Sequence, residues 1–332
     1  MRKKKRRNMG KDRWKNRRGP VWGLLGLLIF LTAGGYTAGH YGQSGAWPWQ
    51  KEQAAAPLAG NAVTAVEVLD VGQASSMLIV CDGKAVLIDT GDTDSGSTVL
   101  SALKKYGISR LDLLILTHAH ADHIGGASAV LAQVPAEQIW MPDVEASTGV
   151  YNYLLQQAER QDIPVIQPEP GTVWGTEHGR LEVLAPEKEW LGREIRDADE
   201  AGDAFDYNDS SLGVRFDCGD FSLLCYGDGE LPTEKQLLKT GKVTADIDVL
   251  IVAHHGSSNA SGKELLEAVS GGRPGDIAVI SAGKGNSYGH PTEKVLDRLE
   301  DAGFRILRTD ENGAVSFQVD AEGGFDVCTD YK

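Results

Sequence analysis

The chain has 332 residues, 41% hydrophobic and 24% charged, which suits one large α/β domain or two small ones and excludes a chain disordered through most of its length. Its net charge is −14, but residues 1–18 contribute +10 from eleven Lys/Arg and one Asp, leaving −24 on the remainder. Polyanion binding relies on Lys and Arg, so this acidic body argues against tight, non-specific nucleic-acid binding; a local basic groove or a metal-mediated phosphate contact stays open.

The basic run over 1–19 precedes an uncharged stretch over 20–41. About 20 apolar residues cross a bilayer and a basic flank stays cytoplasmic, so the stretch is expected to be a single-pass transmembrane anchor that sends the rest of the chain outside the cell. A cleaved secretory signal is the alternative, because the strongest apolar core, 21–33, is short and small residues follow it. Residues 42–61, with scattered Pro and Ala and no sustained period, read as a linker, and 62–332 as the folded body.

In that body, "AVTAVEVLDVG" and "SSMLIVCDGKAVLIDTG" read as strands, the second broken into a hairpin at Asp82–Gly83. "TVLSALKKYG" has apolar residues at helical spacing and Gly107 as a stop, and "LDLLILT" is a further strand. The acidic run 187–209 reads as a solvated, helix-biased insertion. "SSLGVRFDCGDFSLLCYGD" is another hairpin, "ELPTEKQLLKT" a helix, and "DIDVLIVAHHGS" a strand ending in histidines. A helix at 262–269, the strand "DIAVISAG", a helix at 291–303 and the strand "RILRT" follow. Two halves of hairpin, helix and strand imply two sheets packed face to face under outer helices, with polar clusters meeting at one edge.

None of Cys81, Cys218, Cys225 and Cys328 belongs to a C-x-x-C pair, which argues against a cysteine zinc site. An oxidising exterior would permit disulfides, but no pairing can be read from the sequence. Cys218 and Cys225 bracket "GDFSLL" and would not stand opposite one another if Gly219–Asp220 form the turn; they could equally be small core residues.

The chemistry gathers in "THAHADHIGG", residues 117–126, which takes three of only 8 histidines. His118 and His120 alternate at a strand end, so both imidazoles point to one side, while Asp122 and His123 on the following turn aim a few ångströms away. Imidazole and carboxylate are ligands for zinc and similar divalent ions, and four together can begin a two-metal site. Asp228 and the His254–His255 pair also stand at the ends of apolar strands.

H-x-H-x-D-H at 118–123, preceded by "LIDTG" and followed by "YGD" and "AHHGS", resembles the metallo-β-lactamase superfamily. "DVGQ" (70–73), "NDSSL" (208–212), "HHGS" (254–257) and "GNSYGHP" (285–291) further resemble the metallo-β-lactamase-like domain of ComEC-type DNA-uptake proteins and its stand-alone relatives, over roughly residues 63–318. The resemblance implies an αββα sandwich holding two divalent metal ions, Zn or Mn. His118 and His120 would bind one ion; Asp122, His123 and His254 the second; Asp228 would bridge them. Asp89 would orient a ligand, the kind of support that metal sites need. His255 is read as a neighbour that could exchange roles with His254.

Two departures matter. Many members supply a third histidine to the first metal, but between 123 and 228 this chain has only His178, upstream of the expected position and read as a surface residue. Asn208 or Asp209 stands there instead, and an oxygen ligand or an open position would weaken the preference for zinc and admit manganese. The second is "DVGQASS", where ComEC-type domains usually have Gly-Asp after the Gln.

The mechanism this implies is attack by metal-activated water, centred on Asp122 and His290. His290 is the candidate proton donor or phosphate contact, with Ser257 and Asn286 as hydrogen-bonding groups for substrate. The favoured function is a membrane-anchored extracytoplasmic phosphodiesterase or nuclease acting on DNA or an envelope polymer. The alternatives are a hydrolase of a β-lactam, lactone or thioester, and a non-catalytic uptake or envelope partner. With one candidate span the chain could not form a DNA pore alone, so a role in uptake would need a separate channel partner.

Overall fold

A computed structural model describes residue 58 and residues 60–271 and 275–331; the basic tail, the anchor and most of the linker lie outside the described residues. Among the described residues no helix is long and apolar enough to cross a membrane.

Strands β1 (Ala62–Val68), β2 (Met77–Cys81) and β3 (Lys84–Ile88) form an antiparallel meander. Asp82 and Gly83 close its second hairpin with φ of 51° and 74°, the left-handed pair that matches the twist of adjoining strands. Helix α1 (Gly96–Lys105), β4 (Leu113–Ile115), the short helices α2 (Ala121–Ile124) and α3 (Ala127–Leu131), β5 (Ile139–Trp140), α4 (Gly149–Arg160) and β6 (Val165–Ile166) follow, with β3 to β6 paired in parallel.

The second half comprises β7 (Val173–Gly175), β8 (Gly179–Ala185), α5 (Lys188–Ala201), β9 (Gly213–Cys218), β10 (Phe221–Cys225), α6 (Leu231–Lys239), β11 (Val249–Ile251), α7 (Lys263–Val269), β12 (Ile277–Ile280), α8 (Glu293–Asp301), β13 (Arg305–Arg308) and α9 (Thr309–Asn312). The chain then returns to the first sheet with β14 (Val315–Asp320) and β15 (Phe325–Thr329). The strand orders are β15-β14-β1-β2-β3-β4-β5-β6 and β13-β12-β11-β10-β9-β8-β7.

Period-two alternation builds the layers. Leu78, Val80, Ala85 and Leu87 face α1, α3 and α4 through Val99, Leu103, Val130 and Leu154. Their alternates Met77, Ile79, Val86 and Ile88 share the inter-sheet core with Phe216, Leu223, Val249 and Val279. On the far side, Leu224, Leu250, Ala278 and Ile280 pack under α6, α7 and α8 through Leu237, Leu265, Val295 and Leu299. Strands buried on both faces must be apolar throughout, which is why "LLI" and "VLI" read as unbroken runs. The result is the expected αββα sandwich.

Three local features differ from the sequence expectation. The strand at 305–308 is not the last: β14 pairs antiparallel with β1, completing the first sheet from the far end of the chain. Helix α4, the short strands β5 to β7 and the longer β8 also had no counterpart in the predicted elements. The acidic run does form a helix, α5, but it is only partly solvated, because Trp190 and Leu191 pack with Val144 against Phe205 and Tyr207.

Candidate metal centre

Parallel strands β3 and β4 in one sheet, and β10, β11 and β12 in the other, carry polar residues at their C-terminal ends, the edge where open α/β sheets place ligands. Asp89 follows β3 with φ 58°, a left-handed conformation that Asp tolerates better than most residues. Its Oδ1 accepts the Thr117 amide N–H at 2.8 Å, while Oδ2 accepts the Thr117 hydroxyl at 2.7 Å and lies 2.7 Å from His123 Nδ1. The Thr90 amide donates to the His123 carbonyl at 2.7 Å. His123 is fully buried, and the Asp89 contact fixes its ring orientation, with Nδ1 toward Asp89 and Nε2 toward Asp228.

His123 Nε2 faces Asp228 Oδ1 at 3.0 Å, yet both atoms are buried without a hydrogen-bond partner. Two orphaned atoms converging on one point fit a cation held between them, since buried polar groups are otherwise satisfied. Asp122, His123, Asp228 and His255 each offer a ligand atom within 4.8 Å of the others. His255 Nε2 is 3.3 Å from Asp122 Oδ2 and 3.7 Å from Asp228 Oδ2, and its Nδ1 lies 3.0 Å from the Ser281 carbonyl, which orients the ring.

Electrostatics agree with this fit. Burial alone would lower His123, but Asp228 and Asp89 together hold it well above the usual imidazole range. Burial would raise Asp228, but His123 and His255 hold it well below the usual carboxylate range. Asp122, opposed by the same burial penalty, is pulled down to about 2 by the His255 hydrogen bond and the His123 charge. The buried carboxylates thus hold positive charge at this point.

The structure brings His255, not His254, into this group. His254 Nε2 is 3.8 Å from Asp228 Oδ2, its Nδ1 is 3.1 Å from Glu230, and its side chain is 22% exposed. Both histidines have left-handed φ, 51° and 53°, a strained pair costing about 1–3 kcal/mol per residue that turns adjacent rings to different sides.

His118 is fully buried, which pushes its imidazole well below the usual range, with the neighbouring His123 adding to the effect. Its Nε2 lies 3.1 Å from His120 Nδ1, so these two converge as period-two spacing requires. The turn Tyr207–Ser210 stands beside them, with the Tyr207 ring 5.7 Å from that of His120. Asn208 Oδ1 and Asp209 Oδ1 are also buried without partners, and burial followed by Asp206, Glu230 and Glu194 raises Asp209 to about 6. The segment is clamped to the centre by Leu212 N–H on the Thr117 carbonyl and by Asp228 N–H on Ser211 Oγ.

His290 lies on the His254 side, ring centroids 5.8 Å apart, and stacks on Tyr288; burial and the His254 and His255 charges lower its pKa. Asn286 does not present a free amide. Its Nδ2 donates to the Gly283 and His290 carbonyls and its Oδ1 accepts the Tyr288 and His290 amides, so it braces the loop. Ser257 is buried, and its Oγ accepts the Asn259 amide. In "DVGQASS", Ala74 is buried, the Ser75 amide donates to the Asp122 carbonyl and Gln73 Oε1 accepts the Gly283 amide, so the loop braces the metal edge without adding a carboxylate. His178 is remote from this centre and pairs with Asp82 at 2.7 Å, beyond the opposite end of β3.

Sequence reasoning missed Thr117, Ser211 and Glu230. A hydroxyl directly before the first histidine and an acid two residues after Asp228 were the available signals.

The family model of the Metallo-beta-lactamase superfamily matches residues 69–272. ComE operon protein 3 of Bacillus subtilis is 32% identical over 285 residues, covering 80% of this chain and 34% of its own length. Competence protein ComA of Neisseria gonorrhoeae is 32% identical over 256 residues, covering 76% of this chain and 32% of its own. The chain thus spans about a third of the length of these curated relatives. Among solved structures, CmlA, a diiron beta-hydroxylase from Streptomyces venezuelae, superposes with TM-score 0.50 at 14% identity, covering 78% of this chain and 55% of that one, a likeness of fold alone.

Proposed function

The chain belongs to the metallo-beta-lactamase superfamily and is related to ComEC-type competence proteins, and from that premise we propose that it is a membrane-anchored extracytoplasmic phosphodiesterase or nuclease using two divalent ions. The observation that carries the hydrolase reading is the convergence of Asp122, His123, Asp228 and His255, with the orphaned His123 Nε2 and Asp228 Oδ1 at its middle. We assign Asp122, His123 and His255 to one ion, His118 and His120 to the other with Asn208 or Asp209 beside them, and Asp228 to the position between.

Divalent ions in such a site supply a water ionised near neutral pH and charge stabilisation for a phosphoryl oxygen. The chain's own contribution is positional. Asp89 and the Ser281 carbonyl fix the two imidazoles, and buried Asp228 keeps negative charge between the subsites. His290, its pKa lowered by burial and by the His254 and His255 charges, can present a ring N–H to a phosphate oxygen. An oxygen-bearing turn where many members have a third histidine supports phosphoester over acyl chemistry and manganese over zinc. Relatedness to competence proteins supports DNA as substrate, with uptake through a separate channel partner; the net charge of −24 past residue 18 favours phosphate being met by metal.

The test is hydrolysis of bis-p-nitrophenyl phosphate and of single- and double-stranded DNA by the full chain with manganese or zinc. Metal-dependent cleavage lost in Asp122→Ala and His255→Ala is expected; absence of cleavage by protein with bound metal overturns the phosphodiesterase reading.

A further inference from the structure

Away from the metal edge, two thiols meet across the sandwich. Cys81 ends β2, where it lies opposite Thr64 of β1 in the first sheet. Cys218 ends β9, where it lies opposite Gly179 of β8 in the second sheet. Both cysteines are fully buried and both face the inter-sheet core.

Each thiol reaches into the other's sheet. The Thr64 hydroxyl donates to Cys218 Sγ at 3.4 Å, bringing that sulfur against the strand beside Cys81. Cys81 Sγ in turn lies 3.2 Å from Thr176 Oγ1 and only 2.6 Å from where a Cβ on Gly179 would stand. Only glycine there leaves room for the sulfur, directly beside the strand position of Cys218. The geometry thus sets both thiols at one place between Thr64, Thr176 and Gly179.

The surrounding turns are already pinned. The Asp82 carboxylate accepts the His178 backbone N–H at 2.9 Å and lies 2.7 Å from its Nδ1, joining the β2–β3 turn of one sheet to the β7–β8 turn of the other. A bond at this place needs little new ordering, because the backbone on both sides is fixed.

We propose that Cys81 and Cys218 are a disulfide-forming pair, an inter-sheet staple made when the protein meets a disulfide oxidant. The Cys218 thiolate attacks one sulfur of an oxidant such as oxidised glutathione, forming a mixed disulfide and releasing one glutathione thiolate. Cys81, deprotonated as it reacts, then attacks Cys218 Sγ; the Cys81–Cys218 bond forms and the second glutathione leaves. Two electrons and two protons pass from the protein thiols to the oxidant, giving two reduced glutathiones. The staple is independent of the metal chemistry. Cys225 lies in the same core at the end of β10 and Cys328 is exposed, and neither takes part.

The test is incubation of the full chain with oxidised glutathione in sub-denaturing urea, then unfolding, alkylation and peptide mapping by mass. A Cys81–Cys218 peptide lighter by two hydrogens is expected, with Cys225 alkylated and glutathione on Cys328 reporting an active oxidant. Cys225→Ala should retain the linked peptide, whereas Cys81→Ser and Cys218→Ser should each lose it. Full alkylation of Cys81 and Cys218 in a sample whose Cys328 carries glutathione, or linkage of either to Cys225, overturns the proposal.

Discussion

His123 Nδ1 lies 2.7 Å from a carboxylate oxygen of Asp89, whose other oxygen takes the Thr117 amide. One buried acid therefore fixes both the backbone that launches His118 and the ring that points at Asp228. Asp89→Ala removes no proposed ligand yet should weaken divalent-metal affinity about 10–100-fold, the usual cost of losing such a support. Competition against a chromophoric chelator measures it, and unchanged affinity would remove Asp89 from this role.

Adjacent histidines should separate in their effects. His255 joins the four-residue cluster while His254 bonds to Glu230, so His255→Ala should lose bound metal and His254→Ala should retain it. Metal content per chain after dialysis decides the matter; equal losses would put both in the centre.

Asp209 gives a pH dependence of definite sign. Its folded-state pKa is raised from 3.8 to about 6, so ionisation costs stability as pH climbs through that interval, with the full cost above it. Asp209→Asn should then stabilise the chelator-treated protein at pH 7 by about 1–2 kcal/mol, discounted for partial exposure, and by nothing at low pH where the acid is protonated in both states. Urea unfolding in chelator at both pH values checks this. If Asp209 serves as a metal ligand, saturating manganese should reverse the sign at pH 7.

Gly126 permits the metal loop to close. A Cβ there would stand 2.3 Å from the Thr90 carbonyl oxygen, and the Thr90 amide in turn holds the His123 carbonyl. Gly126→Ala should destabilise by about 1–3 kcal/mol, as forced backbone shifts in packed regions do, and lower metal affinity with it. Thermal unfolding with and without metal separates the two effects.

The layers and the centre were legible to different depths. Runs such as "LLI" and "VLI" announce strands buried on both faces, and histidine spacing announces one side of a strand end, because both follow from local geometry. The exchange between His254 and His255 was not legible, since which ring turns inward depends on two consecutive left-handed residues that no apolar pattern encodes. Asn286 reads in the sequence as a hydrogen-bonding group for substrate, whereas its four loop partners are backbone groups, which carry no residue code. β14 was missed because its pairing with β1 is set by register across nearly the whole folded body, beyond the reach of local periodicity.

That pairing of β1 with β14 also bears on how the chain is made. Val66 stands opposite Phe317, so one edge of β1 stays unpaired during synthesis until the second sheet has already emerged. Contacts so distant in sequence slow folding, and an open strand edge is a template for association with other chains. A ribosome-bound chain stalled before residue 315 would therefore expose β1 to wrong partners, which makes the late hairpin a latch against aggregation as well as part of the sheet.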